Sequence, residues 1–182
     1  MKTTTIILLI FLAFTIQSNA QKYITKNGNI TFYSDGPLEK IEARNKQVNS
    51  ALNTETGDFV FKILMKSFVF EKALMQEHFN ENYVESDKFP TAMFKGQVTN
   101  DVEFSASGTY EVNVEGDLTI HGIKQHIQEK GTFKVSENGI HGTSKFHIVL
   151  EDYDISIPGA VTGKIAEEIE ITIDVTLKPM KK

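Results

Sequence analysis

Cysteine is absent from all 182 residues. That absence excludes disulfide staples, thiol nucleophiles and cysteine-based metal sites, so packing alone must hold the fold together. No G-x-S-x-G elbow occurs, and no serine or threonine stands in a recognisable triad context. Glycine-rich phosphate loops are missing too: Gly108, Gly116 and Gly122 fall in or beside strand-like segments rather than ahead of helices. These gaps argue against an enzyme and leave no cofactor to expect. Positive charge is also scarce. The formal net charge of −5 becomes −6 without Lys2, which argues against nucleic acid or an anionic membrane surface as partner.

Long apolar runs are confined to the start of the chain. Residues 6–14 form one, preceded by Lys2 and too short to span a bilayer as an ordinary helix. Ser18-Asn19-Ala20 follows as a small-x-small cleavage pattern, so residues 1–20 read as a signal peptide and Gln21 as the first mature residue. A retained anchor would need a stop-transfer run, and none follows. No cysteine stands near the cleavage site to carry a lipid. The expectation is an exported protein, periplasmic or secreted, without a stable membrane anchor. Residues 21–182 then form a single domain with a sizeable core.

What fills that domain is period-two alternation. Phe59, Phe61, Ile63 and Met65 alternate with polar or outward positions, as do Ala92, Phe94, Gly96 and Val98. Tyr110, Val112, Val114, Leu118 and Ile120 share a face, and so do Ile140, Phe146, Ile148 and Leu150. Ile165, Ile169, Ile171, Ile173, Val175 and Leu177 oppose Glu168, Glu170 and Asp174 near the C-terminus. Each segment has one wet and one dry face, as an antiparallel sheet requires. Earlier, less regular strands are expected over 29–34, 38–45 and 48–54, which brings the count to about eight. Turns are expected at Lys26-Asn27-Gly28, at Asp35-Gly36-Pro37 and at Asn138-Gly139, the last a strong hairpin signal. Long strands in a meander with a single apolar face close most economically into a barrel, which removes exposed edges.

One segment breaks the alternation. Leu74, Met75, His78 and Phe79 have helical spacing, so a short helix or lid is expected near 71–82. Phe68, Phe70, Phe79, Tyr83 and Phe89 make this the most aromatic part of the chain, and Phe89-Pro90 marks the entry to the next strand.

From here the order of motifs resembles the YceI-like family. The residues that carry the resemblance are Asp58-Phe59 through Phe70, Leu74-Met75-x-x-His78-Phe79, and Tyr83-x-Glu85-Ser86-Asp87-Lys88-Phe89-Pro90-x-Ala92-x-Phe94. Val114-x-Gly116-Asp117-Leu118-Thr119-Ile120-His121-Gly122 is a second match, and Asp152-Tyr153-x-Ile155 with the terminal strand is a looser third. Residues 21–57 align poorly. The resemblance implies an all-β, lipocalin-like extended antiparallel barrel, exported in bacteria and most often to a Gram-negative periplasm. It also implies that the interior encloses an isoprenoid-type lipid, either a polyisoprenoid or a quinone-like compound.

An eight-stranded barrel is wide enough for one slender ligand. The candidate lumen residues are the inward members of the alternating segments: Phe59, Phe61, Ile63, Phe94, Val112, Val114, Leu118, Phe146, Ile148, Ile169, Ile171 and Ile173. Phe94 is expected to be a channel wall, with Gly96 leaving space beside it. Lys62, Lys66 and Lys95 face outward. The alternative is a structural or stress-response barrel whose core these same residues fill.

The remaining polar clusters favour bland roles. His141 and His147 lie six residues apart on one strand, roughly 20 Å, and cannot share an ion. His121 and His126 could meet across a hairpin with Asp117 or Glu129, but alternation puts His121 on the wet face, so metal binding is the least favoured reading. Glu77, Glu81, Glu85 and Asp87 read as a solvated rim with capping roles rather than an acid/base pair.

Overall fold

The computed structural model describes residues 22–161 and 163–180. The expected signal peptide lies outside the described residues.

Eight long antiparallel strands close on themselves. In chain order they are β1 (Lys22–Asp35), β2 (Lys40–Asn53), β3 (Asp58–Leu64), β5 (Thr91–Val98), β6 (Gly108–Ile120), β7 (Ile123–Ser136), β8 (Gly139–Val149) and β9 (Glu168–Pro179). A two-residue strand, β4 (Val69–Phe70), pairs only with β2. Neighbours in sequence are neighbours in the sheet, and β1 pairs with both β2 and β9, which closes the barrel. The meander needs no crossover, so the alternation of each strand directly fixes what faces the lumen.

The number of strands agrees with the sequence reading, but their membership differs. Segments 38–45 and 48–54 are one strand, β2, which runs the length of the barrel. Lys26-Asn27-Gly28 is not a turn. It is an irregularity inside β1, where the register against β2 shifts on both sides of Gly28. A Cβ on Gly28 would stand 2.6 Å from Val175 Cγ1 and 3.3 Å from Val48 Cβ, so glycine lets the two neighbouring strands close in at the bulge.

The strand missing from the alternating set is β7. Its inward positions include Gln125, Glu129 and Gly131, which spoil the apolar period. The hairpin that joins β6 to β7 turns on His121 and Gly122, with φ of 52° and 77°. Two consecutive left-handed residues between paired Ile120 and Ile123 form the tight turn that matches strand twist. The β7–β8 hairpin is also present, but Ser136 pairs with Gly139, so the loop is Glu137-Asn138 and the glycine begins the next strand.

Between β4 and β5 lies α1 (Ala73–His78), continued by a π-helical turn, Phe79–Tyr83. Phe79 fastens this segment to the barrel: its ring centroid lies 5.5 Å from Phe32, 5.6 Å from Phe68 and 5.0 Å from Phe70. Phe32 comes from β1, so one aromatic group ties the helix to the first strand of the chain.

Candidate functional site: an apolar lumen closed at one end

The barrel interior is packed at one end and hollow at the other. The closed end is filled by Tyr23, Val48, Leu52, Val135, Ile140 and Leu177, all buried. Beyond them opens a cavity of about 480 Å³, within the size range of small-molecule sites. All twelve candidate lumen residues, Phe59, Phe61, Ile63, Phe94, Val112, Val114, Leu118, Phe146, Ile148, Ile169, Ile171 and Ile173, line this cavity. Filled core and open lumen are therefore two halves of the same barrel.

Gly96 does not act as a spacer. It is paired with Gly116 on β6, and a Cβ there would collide with the carbonyl oxygen of Glu115 and meet Phe94 Cζ at 2.5 Å. The paired glycines let β5 and β6 approach closely, and the Phe94 ring occupies the space above Gly96. Phe94 itself lines the cavity.

Three segments surround the open end. From α1 come Leu74, Met75 and His78; from the loop before β2 comes Glu39; from the loop before β9 come Val161, Lys164 and Ile165. Glu39 joins two of these segments, accepting a 2.7 Å bond from Lys72 Nζ at the start of α1. That bond, with the charges of Lys72 and Lys164, holds the Glu39 carboxyl below its ordinary range, and the same bond with the Glu39 charge raises the Lys72 ammonium. Leu38 N donates to Gly163 O at 2.8 Å, which laces the second and third segments together.

The wall is not sealed along its length. β7 and β8 are paired only from Gly131–Ser144 to Ser136–Gly139. Toward the mouth β7 stays with β6 and β8 stays with β9, so the two hairpins part and leave a wedge-shaped slit. A short 3-10 turn, Glu151–Tyr153, fills its wide part. Tyr153 is buried there, Gln125 Nε2 donates to Asp152 O at 2.7 Å, and His121 Nδ1 lies 3.1 Å from Tyr153 O. The Asp152-Tyr153-x-Ile155 motif is thus a plug between strands.

Among the lining residues that sequence reasoning missed, two groups bear on the site. Ile30, Phe32 and Ile41 come from the irregular first strands, where no clean period signalled an inward face. Glu129 is the second omission, a carboxylate on the cavity wall beside Ile127 and Gly131. Burial raises its pKa, partly offset by the nearby charge of His147. Tyr153 is pushed up to about 12 by burial, with contributions from Asp152 and Glu129.

The carboxylates of the 77–87 stretch occupy the rim. Glu77 and Glu81 are exposed, Asp87 pairs with Lys66 at 2.5 Å, and Glu85 pairs with His121. His121 departs from expectation. Its side chain is only 10% exposed, because the left-handed turn tucks it between Glu85 and Tyr153 instead of pointing it outward. His126 is engaged by Asp117 and Glu115 on the outer surface, away from His121. Among the described residues, no three His, Asp or Glu side chains gather in a way that could hold a metal ion.

A family model, the YceI-like domain, matches residues 15–177. The chain belongs to the YceI-like family. Solved structures share its fold, among them the following three. A polyisoprenoid-binding domain from Saccharophagus degradans, implicated in plant cell wall breakdown, superposes with a TM-score of 0.74 at 13% identity, covering 87% of this chain and 98% of that one. BcnA of Burkholderia cenocepacia gives 0.69 at 16% identity, with 82% and 95% covered. The YceI protein of Campylobacter jejuni gives 0.60 at 15%, with 76% and 84% covered. No curated protein matches this chain. The closed antiparallel barrel of this YceI-like chain is the fold it shares with these structures.

Proposed function

We propose that this YceI-like barrel is a non-enzymatic carrier that holds an isoprenoid-type lipid, a polyisoprenoid or a quinone-like compound, in its hollow half. The observation that carries this reading is the cavity, walled by phenylalanine and branched aliphatic side chains from all the long strands, with α1 at its mouth. Burying a prenyl tail there would contribute roughly 25 cal/mol per Å² of apolar surface, so a long tail needs few polar contacts. The similarity in fold to a structure described as a polyisoprenoid-binding domain supports the same ligand class. The protein would sequester or shuttle this lipid through an aqueous compartment, exported by its leader and released as a chain beginning at Gln21.

Extraction of protein purified from its own host, followed by mass spectrometry of the extract, tests the ligand. A prenyl lipid in stoichiometric amount is expected. Lipid-free protein that also takes up no added prenyl compound would sink the proposal. The intact mass of protein recovered from the exported fraction tests cleavage after Ala20.

A further inference from the structure

Glu129 is out of place in an apolar wall. It stands on β7 opposite Val114, two residues past Gly131, the last residue of β7 bonded to β8. Gly131 and Ser144 mark the apex of the slit, and Ser144 Oγ donates to Lys130 O at 2.6 Å just beyond it. Tyr153 plugs the wide part. The Glu129 carboxylate lies between apex and plug, half-buried, and lines the cavity among Ile127, Val114 and Phe146. Its side chain makes no hydrogen bond or ion pair among the described residues, whereas Glu39, the other carboxylate lining this cavity among the described residues, is paired with Lys72.

A carboxylate held in apolar surroundings without a donor is costly, and a ligand that brings the donor removes that cost. The same site turns away an equally apolar ligand lacking a donor, because binding would desolvate the carboxylate further. The basic side chains nearby do not supply the missing donor: Lys124, Lys130 and Lys145 are exposed on the outer face, Lys72 bonds Glu39 and Lys164 stands beside it at the mouth, and His147, whose charge acts on Glu129, pairs with Glu170 instead.

We propose that Glu129 selects the ligand's polar group, favouring an amphiphile with a hydrogen-bond donor, a hydroxyl or an amine, over one whose head only accepts. This inference rests on the lipid-binding reading above and narrows it, since a quinone head only accepts whereas a prenyl alcohol or a quinol can donate. The donor would sit at the side slit, part-way along the wall, with the tail lying in the phenylalanine-lined hollow.

Three probes with one tail test the idea: farnesol, farnesylamine and farnesyl methyl ether, each titrated as a competitor of an apolar fluorescent dye. The unaltered protein should bind the alcohol and the amine on the order of tenfold more tightly than the ether, the effect of one hydrogen bond to a charged group. Glu129→Leu should bring the three affinities together while keeping or improving that of the ether. Glu129→Gln, whose amide can also donate to the ether oxygen, should narrow the gap between the ether and the other two probes. Equal affinities in the unaltered protein, or a ratio unchanged by Glu129→Leu, would overturn the role of Glu129 and leave lipid binding standing. Failure of all three probes to displace the dye would overturn the lipid reading itself, and this inference with it. Both variants remove a desolvated charge, so their urea midpoints should not fall below that of the parent.

Discussion

His121 Nε2 lies 2.9 Å from Glu85 Oε2, joining residues 36 apart in sequence, and both have left-handed backbones with φ of 52° and 42°. Glu85 follows the π-helical turn after α1, while His121 forms the β6–β7 hairpin turn. The other ring nitrogen of His121 faces the carbonyl of Tyr153 at 3.1 Å. One imidazole therefore ties the lid segment, a hairpin and the slit plug together, and Phe89 packs edge-on against it at 4.6 Å.

Replacing His121 with alanine should loosen all three elements at once. Losing a half-buried hydrogen bond from the imidazole costs about 1 kcal/mol. The bond from His121, helped by the charge of Lys88, also holds the Glu85 carboxyl below its ordinary range. A lowered carboxyl pKa contributes stability above the unfolded value of 4.5 and loses it as pH falls through the folded one. In His121→Ala the Glu85 titration followed by NMR should therefore move back up, and the acid-unfolding midpoint should rise in pH. An unchanged Glu85 titration would refute the coupling.

Gly96 and Gly116 give the second prediction. Each is the other's cross-strand partner, and a Cβ on Gly116 would collide with Gly96 Cα and the Lys95 carbonyl. Backbone atoms cannot swing aside as a side-chain tip can. Gly96→Leu should thus destabilise the barrel by at least the 1–3 kcal/mol typical of overpacking, read as a fall in the urea midpoint. Any loss of lipid binding should follow the loss of fold.

The strands easiest to read were those whose inward residues are uniformly apolar, β3 and β9 above all. Phe59, Phe61 and Ile63 announce their face because nothing polar interrupts it. Legibility failed where the wall has a special task. β7 puts Gln125 against the slit plug and Glu129 in the cavity, so its period dissolves at those positions. β1 needs a glycine bulge, which resembles a turn in sequence. Phe32 escaped notice because its partners Phe68, Phe70 and Phe79 lie far along the chain, and only tertiary packing brings them together. The boundary between packed and hollow halves was not legible at all. Leu177 and Ile173 have the same character and share a face, yet Leu177 is fully buried and Ile173 borders open space.

That contrast is testable on one strand. Leu177→Ala removes a side chain from the packed end and should cost about 2–5 kcal/mol. Ile173→Trp adds volume where the interior is hollow, so it should cost less than the roughly 1–3 kcal/mol of overpacking. The tryptophan should instead displace the ligand tail and weaken prenyl binding by tenfold or more, a factor worth about 1.4 kcal/mol. Urea melts and dye-displacement titrations on both variants check the pair. Equal destabilisation by the two changes would mean that the interior is packed throughout.

The last prediction concerns exchange rather than affinity. Glu39 sits between Lys72 and Lys164 at the mouth, and its bond to Lys72 joins the β1–β2 loop to the start of α1. Both partners touch water, so the pair adds little to global stability. Its position gives it a different lever, since a ligand leaving through the mouth must part the segments it joins. Glu39→Gln should leave the urea midpoint nearly unchanged and speed release of a bound apolar dye, measured by stopped-flow displacement. Salt should speed release from the parent protein by screening the pair, and have less effect on the variant. Because Lys72 lowers the Glu39 pKa, the strap should be fully held above the carboxyl's unfolded value of 4.5 and open as pH falls through the lower folded one. Release should accelerate over that acid range in the parent and stay flat in Glu39→Gln. Identical release rates for the two proteins at neutral pH would show that the ligand passes elsewhere, with the slit beside Glu129 as the remaining exit.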